Sequence, residues 1–218
     1  MKVLVTGSSR GIGKAICQHF LEKGHEVIGF DILPSSIENE SYTHYIVDVS
    51  KKDSFPSIDG IEIIVNNAGV QNCNDIDVNL RGTINISEKY ISSSIKSVLN
   101  MCSTSAHNGA EFPEYSASKG GILAYTKNLA IRLAAFGATC NSISPGGVTT
   151  ELNEPVMSDK NLWNQIMNLT PLKKWASPEE IAQWVYFLTC INKSATGIDV
   201  IIDNGENTCS SKFIWPEN

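Results

Sequence analysis

The sequence has few basic residues and no apolar run long enough to cross a membrane. Its 17 Lys and Arg residues are outnumbered by 23 Asp and Glu residues, which gives a net charge of −6 at pH 7. Proteins that bind nucleic acid or anionic membrane surfaces cluster their basic residues, and a membrane-spanning helix needs about 20 consecutive apolar residues. The composition therefore predicts neither a nucleic-acid partner nor a membrane partner.

Paired metal ligands and a secretion signal are also missing. The six cysteines include no Cys-x-x-Cys pair, and the four histidines form no His-x-His or His-x-x-His pair, so we expect no metal site. The N-terminal stretch MKVLVTG has too few apolar residues for the core of a signal peptide. We therefore expect a cytoplasmic protein whose thiols are reduced.

What the sequence does contain is an alternation of short β-branched runs with segments of helical periodicity. The predicted strands are KVLVT, HEVIGFD, THYIVDV, IEIIVNN, KSVLNMC, ATCNSIS and ATGIDVIID. Strands that alternate with helices form right-handed crossovers and a parallel sheet covered on both faces. We predict a single α/β domain over residues 1–218, a Rossmann-type doubly wound parallel sheet of about seven strands in the order 3-2-1-4-5-6-7.

The stretch TGSSRGIG, Thr6 to Gly13, joins the first predicted strand to the first predicted helix. Its three glycines permit a tight turn whose backbone N–H groups approach a ligand closely. The helix that begins near Gly11 adds unpaired donors and a partial positive charge, which together bind a pyrophosphate. We expect a dinucleotide here, and the alternative is a tight turn without a ligand.

The second predicted strand ends at Asp31. A carboxylate at this position can accept hydrogen bonds from the ribose hydroxyls of an adenosine and repels a 2′-phosphate. NAD is therefore favoured over NADP. Arg10, within the glycine loop, is the opposing signal because its guanidinium could reach a 2′-phosphate, and Asp31 has the alternative of being an ordinary acidic turn residue.

Four motifs follow one another in chain order: TGSSRGIG, NNAG at Asn66–Gly69, YSASK at Tyr115–Lys119 and PGGV at Pro145–Val148. With them the sequence resembles the short-chain dehydrogenase/reductase family, and within it the 3-oxoacyl-carrier-protein reductases. The resemblance covers almost the whole chain. It implies an oxidoreductase that transfers a hydride between NAD(P)(H) and a small alcohol or ketone, with a substrate lid over residues 147–176.

The resemblance also implies the residues of the site. The catalytic residues would be Asn79, Ser103, Tyr115 and Lys119. The cofactor would be held by Thr6, Gly7, Ser9, Arg10, Gly11, Ile12, Gly13, Asp31, Asp48, Val49, Asn67, Ala68, Gly69, Tyr115, Lys119, Pro145, Gly146, Val148 and Thr150. In the family the tyrosine is the general acid/base, the serine binds the substrate oxygen, and the asparagine holds a water that links the lysine to solvent.

The spacing of Tyr115 and Lys119 suits this chemistry. Residues four apart on a helix share one face. A phenol has an ordinary pKa of about 10, and burial raises it further. Only a neighbouring positive charge can lower the pKa of Tyr115 enough for proton transfer at neutral pH, and the ammonium of Lys119 provides one.

Several positions between these motifs leave alternatives open. Ser105 is the alternative to Ser103, because the spacing from Ser103 to Tyr115 is one residue shorter than is common in the family. His107 and Glu111 either recognise a polar substrate or are merely exposed. In the lid, three large residues either line an apolar pocket or pack the lid against the body: Met157, Trp163 and Met167.

The segment from Gly69 to Asn79 is about half as long as in the family. This shortening removes the start of a helix that in the family helps to form a subunit interface, so the homodimer or homotetramer usual in the family has less support here.

Two other functions compete with the dehydrogenase: a regulator that senses NAD(H) without turnover, and an epimerase or dehydratase. The intact catalytic residues disfavour the first, and the short C-terminal extension disfavours the second.

Overall fold

The computed structural model describes residues 1–110 and 112–209, so the predicted domain of residues 1–218 extends beyond this part of the chain. Seven parallel strands form one sheet in the order β3-β2-β1-β4-β5-β6-β7, which confirms the predicted order. The strands are β1 (Lys2–Thr6), β2 (Glu26–Asp31), β3 (Tyr42–Ile46), β4 (Ile63–Asn66), β5 (Ser97–Met101), β6 (Thr139–Pro145) and β7 (Asp199–Ile202).

Helices connect the strands on both faces of the sheet. The α-helices are α1 (Gly11–Glu22), α2 (Gly82–Tyr90), α3 (Ser105–Asn108), α4 (Pro113–Leu133), α5 (Glu154–Ser158), α6 (Lys160–Leu169) and α7 (Pro178–Tyr186). Wider π-helical turns precede α2 at Ile76–Arg81 and follow α7 at Phe187–Ile191. Short 3-10 turns occur at Lys52–Ser54, Ala134–Phe136 and Glu151–Asn153. None of the helices in the described ranges is long and apolar enough to cross a membrane.

Strand β1 is apolar from Val3 to Val5 because each face of the sheet is covered by helices. Along β1, Val3 and Val5 belong to the core beneath α1 and α7, whereas Leu4 belongs to the core beneath α2 and α4. Successive side chains of a strand point to opposite faces, so a strand with helices on both sides needs apolar residues at every position. The carboxyl ends of these strands are thereby held at one edge of the sheet.

Helix α7 begins with a capping box. The hydroxyl of Ser177 accepts a hydrogen bond from the backbone N–H of Glu180 at 3.2 Å, and the Glu180 carboxylate accepts one from the backbone N–H of Ser177 at 2.9 Å. This reciprocal pair satisfies two donors that the helix itself cannot pair. Pro178 at the first helical position loses nothing, because its missing N–H would have no partner inside the helix.

The turn from β1 to α1 depends on the small size of two glycines. Gly7 has a φ of +69°, a conformation that glycine adopts without steric penalty. Gly13, in the first turn of α1, lies so close to Gly7 that an added Cβ would collide with the Gly7 carbonyl oxygen and with the amide of Asn67. This contact fixes the start of α1 against the end of β1.

Replacing Gly13 tests that contact. Gly13→Ala should lower the free energy of unfolding by about 1–3 kcal/mol, because the methyl group overpacks the turn. Gly120→Ala is the matched control: it lies inside α4, no described atom lies within 4 Å of its added Cβ, and alanine should stabilise the helix by about 0.5–1 kcal/mol. Urea unfolding of both variants gives the two values, and equal stabilities would contradict the close approach.

Candidate active site

A cavity of about 440 Å³ lies at the carboxyl edge of the sheet. This is the edge at which open parallel sheets bind ligands. Its wall includes residues from the loops after β1, β4, β5 and β6 and from α4: Ile12, Asn67, Gly69, Ser103, Tyr115, Lys119, Pro145, Gly146, Val148 and Thr150. The fold thus gathers residues from all four sequence motifs around one space.

The ammonium of Lys119 is buried beside the ring of Tyr115. Lys119 is only 4% exposed, and its Nζ lies 5.6 Å from the centroid of the Tyr115 ring. It also donates a hydrogen bond of 3.0 Å to the backbone oxygen of Met101 at the end of β5. A buried positive charge next to a phenol stabilises negative charge on the phenol oxygen. The two residues predicted to act as an acid–base pair are therefore neighbours on the cavity wall.

The positions of the two candidate serines differ. Ser103 lines the cavity, and its hydroxyl oxygen accepts a hydrogen bond of 3.2 Å from the backbone N–H of Ser105. Ser105 is 1% exposed, and its hydroxyl has no partner among the described residues. Only Ser103 faces the same space as Tyr115, so the geometry favours it over the alternative.

Asn79 lies in the π-helical turn before α2 and is fully buried. Its side-chain oxygen accepts from the backbone N–H of Val70 at 2.8 Å, and its side-chain nitrogen donates to the Val70 carbonyl at 3.0 Å and to the Ser118 hydroxyl at 3.1 Å. A Cβ added to Gly69 would lie 3.3 Å from Asn79 Oδ1 and 3.6 Å from Lys119 Nζ. Asn79 thus holds the loop after β4 close to the buried ammonium.

The loops after β1 and β4 are joined by hydrogen bonds. The hydroxyl oxygen of Thr6 accepts from the backbone N–H groups of Asn67 and Ala68, each at 3.0 Å. The Asn67 side chain donates to the backbone oxygens of Thr6 and Gly7 at 3.0 and 3.2 Å. Thr6 is 2% exposed. Its position indicates that it fixes the two loops relative to each other, and its contact with a cofactor stays a prediction.

The N-terminus of α1 fits a pyrophosphate. No side chain of the described residues caps this helix, and Arg10 precedes it in an extended conformation. Its first-turn N–H groups therefore face the glycine turn as donors for an anion. The segment predicted to be a lid passes close to this turn, with Thr150 Cγ2 3.4 Å and Glu151 Oε2 3.6 Å from where a Cβ on Gly11 would lie.

Asp31 is held beside the glycine loop by two backbone groups. One carboxylate oxygen accepts from the N–H of Ser9 and the other from the N–H of Leu33, both at 2.9 Å. Each carboxylate oxygen has a second lone pair, so the side chain is oriented and still able to accept further hydrogen bonds. This arrangement suits the predicted ribose contact.

Asp48 and Val49, at the other predicted adenosine contact, have clear structural roles. Hydrogen bonds from the hydroxyl and N–H of Ser50, together with Lys51 at 3.3 Å, outweigh partial burial and lower the pKa of the Asp48 carboxyl. Val49 is buried and packs against Gly82 at the start of α2. A contact of either residue with a cofactor stays a prediction.

His107 does not face the cavity. Its Nε2 lies 2.9 Å from the Asp199 carboxylate and 3.2 Å from the Ser144 hydroxyl, on the side of β6 and β7. The hypothesis that His107 recognises the substrate is therefore not supported, and Glu111 lies outside the described residues. Trp163 packs edge-on against Trp175 at 5.0 Å, and because both residues belong to the predicted lid, this contact does not decide between the two roles predicted for Trp163.

Several residues of the cavity wall lie outside the four sequence motifs and were not predicted as site residues: Thr104, Asn108, Ala110, Leu152, Asn153, Trp175, Glu206 and Asn207. Glu206 and Asn207 follow the end of β7. Since ligands bind beyond the carboxyl ends of parallel strands, their place in the sequence was a usable signal. The indication for Trp175 was weaker, because its place in the cavity wall depends on its packing against Gly147, 28 residues earlier in the chain.

The chain is similar to known proteins over most of its length. A family model described as "Enoyl-(Acyl carrier protein) reductase" matches residues 7–207. The 3-oxoacyl-[acyl-carrier-protein] reductase FabG of Buchnera aphidicola is 28% identical over 92% of this chain and 95% of its own. A crystal structure of a short chain dehydrogenase family protein from Francisella tularensis has a TM-score of 0.84 and 28% identity, covering 94% of this chain and 98% of its own. The structure of 4-hydroxyisoleucine dehydrogenase complexed with NADH has a TM-score of 0.87 and 26% identity, covering 96% and 99%.

Two single substitutions test whether the Thr6 hydroxyl joins the loops after β1 and β4. Thr6→Val keeps the shape but leaves the N–H groups of Asn67 and Ala68 without their acceptor, so the free energy of unfolding should fall by at least about 2 kcal/mol. Thr6→Ser keeps the hydroxyl and loses one methyl group, which should cost about 1 kcal/mol. Urea unfolding of both variants gives the two free energies of unfolding. A Val variant as stable as the Ser variant would show that the hydroxyl does not join the loops.

Proposed function

The chain belongs to the short-chain dehydrogenase/reductase family of oxidoreductases, and we propose that it oxidises an alcohol or reduces a ketone with a nicotinamide cofactor. The observation that carries this proposal is the cavity at the carboxyl edge of the sheet. Tyr115, Lys119 and Ser103 line that cavity together with the β6 loop and with Ile12 at the start of α1. A regulator that only sensed the cofactor would have no use for an acid–base pair there.

Tyr115 is the proposed general acid/base. The cofactor, when bound, accepts or supplies the hydride. In alcohol oxidation the phenol oxygen of Tyr115 takes the hydroxyl proton of the substrate, and in ketone reduction it returns a proton to the carbonyl oxygen. The ammonium of Lys119, 5.6 Å from the centre of the Tyr115 ring, stabilises the negative charge that the phenol oxygen carries after it has lost its own proton.

Ser103 orients the substrate oxygen in this proposal. Its hydroxyl oxygen already accepts a hydrogen bond from the backbone N–H of Ser105, so the hydroxyl proton is available to donate. Asn79 is the proposed holder of a water that connects Lys119 to solvent. Its amide is committed to Val70 and Ser118, so it also positions the loop that flanks Lys119.

NAD is the proposed cofactor in preference to NADP. The Asp31 carboxylate is fixed by Ser9 and Leu33 at the end of β2, which is where an adenosine ribose lies when the pyrophosphate is at the N-terminus of α1. A fixed carboxylate accepts hydrogen bonds from two hydroxyls but repels a phosphate ester. The exposed Arg10 opposes this preference, because its guanidinium could bind the 2′-phosphate of NADP.

Substitution of the phenol tests the acid–base role. Tyr115→Phe should lower kcat by at least about 100-fold, measured as NADH absorbance with a panel of alcohols and ketones, while the Kd for NADH stays close to that of the wild type. Tyr125→Phe is the matched control, because Tyr125 lies on the same helix and donates to Glu88; its kcat should not change. Unchanged turnover in Tyr115→Phe would remove the mechanism, and NADH binding without turnover on any substrate would favour the regulator.

Cofactor preference can be measured independently of the substrate. The wild type should bind NADH at least about 10-fold more tightly than NADPH, because the Asp31 carboxylate repels the added phosphate. Asp31→Ser should narrow this ratio, mainly by weakening NADH binding. Asp59→Ser removes an exposed acid before β4, at the opposite edge of the sheet, and should leave the ratio unchanged. Fluorescence titration with both cofactors gives the ratios, and equal affinities in the wild type would contradict the role of Asp31.

A further inference from the structure

The substrate end of the cavity is walled by side chains from three loops. Asn108 comes from α3 after β5, Trp175 from the end of the lid, and Glu206 and Asn207 from the turn after β7. None of these residues belongs to a motif that marks the cofactor site. Their chemistry therefore determines which substrates can bind opposite the proposed cofactor.

The turn after β7 is built around one buried carboxylate. Asp203 is 4% exposed and accepts hydrogen bonds from the N–H groups of Gly205, Asn207 and Thr208 at 2.8–2.9 Å and from the Thr208 hydroxyl at 2.9 Å. These bonds outweigh the effect of burial and lower the pKa of the Asp203 carboxyl. The turn is thus fixed in the one conformation that carries Glu206 to the cavity.

Glu206 is itself oriented by Trp175. One carboxylate oxygen of Glu206 accepts a hydrogen bond of 3.0 Å from the indole N–H. The indole is held in turn, because it packs against Gly147 where any side chain would collide with it, and because Trp163 packs on its other side. Glu206 is half-buried and forms no ion pair with the residues described. Burial and the nearby Asp203 raise the pKa of its carboxyl.

Carboxamides lie next to this carboxylate. The side-chain nitrogen of Asn108 donates to the side-chain oxygen of Asn207 at 2.8 Å, and the Asn108 oxygen accepts from the N–H of Ala110 at 2.8 Å. This bridge ties the turn after β7 to α3. Each amide nitrogen carries two N–H groups. One from Asn108 goes to Asn207 and one from Asn207 lies 3.5 Å from the Thr104 hydroxyl, so one N–H on each residue of the cavity wall remains for a ligand.

A wall of one carboxylate and adjacent amides selects among substrate classes. It repels an anion, and a purely apolar chain would leave its polar groups unpaired. An ammonium ion only donates and would leave the amide N–H groups without an acceptor, whereas a hydroxyl both donates and accepts. The cavity of about 440 Å³ must also hold the reacting part of the cofactor, so the substrate is small.

We propose that Glu206, supported by Asn207, binds the hydroxyl groups of a small polyhydroxylated alcohol or carbonyl compound. The proposal rests on the function proposed above, because it names the substrate class of the same site. Glu206 is a specificity-determining residue in this scheme: it binds the substrate at a hydroxyl away from the carbon that reacts near Tyr115.

The test compares matched alcohols with and without a second hydroxyl. The probes are trans-cyclohexane-1,2-diol against cyclohexanol and butane-2,3-diol against butan-2-ol, with D-glucose as a larger polyol. The wild type should show a kcat/KM about 10-fold higher for each diol than for its mono-ol, as expected for one charge-assisted hydrogen bond.

Glu206→Gln retains an acceptor for the Trp175 indole and removes the charge. Its KM for the diols should rise about 10-fold, whereas its kcat for the diols, its kcat/KM for the mono-ols and its Kd for NADH should stay within about 3-fold of the wild type, a difference of about 0.6 kcal/mol. Glu179→Gln, which changes an exposed acid on α7, should leave all of these values unchanged. Calorimetric titration of the enzyme–NADH complex with the same probes gives the binding preference even where turnover is slow.

The outcomes separate this inference from the proposed function. Equal binding and equal kcat/KM for diol and mono-ol, or a Glu206→Gln variant with the wild-type preference, would overturn the role of Glu206 while leaving the dehydrogenase intact. Tighter binding of trans-2-aminocyclohexanol than of the diol would overturn the hydroxyl class in favour of a cationic substrate. A Glu206-dependent preference for diols in binding, without turnover or with turnover that Tyr115→Phe does not reduce, would support the inference and reject the function.

Discussion

The buried ammonium of Lys119 is the constraint around which the site is arranged. A charge withdrawn from water is tolerated only where polar or ionic groups compensate it. Two groups that lie against it come from separate parts of the chain: the backbone oxygen of Met101 at the end of β5, which accepts its hydrogen bond, and the ring of Tyr115 one turn earlier on α4. Gly69 also lies beside the ammonium, since a Cβ added to it would be 3.6 Å from Lys119 Nζ. The end of β5, α4 and the loop after β4 therefore meet around one buried amine.

That arrangement extends to the glycine turn through hydrogen bonds between loops. Asn79 holds the backbone of Val70, and three and two residues earlier Asn67 and Ala68 donate to the hydroxyl of Thr6 at the end of β1. The glycine turn after β1 is thereby connected to the buried ammonium through a short series of neighbouring groups. The π-helical turn that contains Asn79 is a wider turn than an α-helix offers, and such turns are frequent at functional sites.

The sequence predicted the sheet and its order because β-branched runs and glycine turns are local signals that the packing did not override. The resemblance to the family brought Tyr115, Lys119 and Ser103 into one site, and the helical spacing of Tyr115 and Lys119 placed these two on one face. It left Ser105 open, because a spacing alone cannot show which hydroxyl faces a cavity. The sequence did not show that the Thr6 hydroxyl accepts two backbone N–H groups, because these come from a loop distant in sequence. It left open whether His107 recognises a substrate or is merely exposed, and the side chain contacts Asp199 from a strand distant in sequence.

The two proposed ends of the cavity differ in what specifies them, and this explains why the sequence offered a motif for one and none for the other. The proposed cofactor end depends largely on backbone N–H groups and close glycine contacts, which require particular residue types at fixed spacings and so leave a motif. The substrate end is made of side chains whose positions depend on distant partners: Glu206 on Trp175, Trp175 on Gly147, and the whole turn on Asp203. Any residue of suitable size and polarity can occupy such a wall. The substrate end is therefore free to differ between proteins that share the cofactor end, and its chemistry can be determined only from the folded arrangement of these side chains.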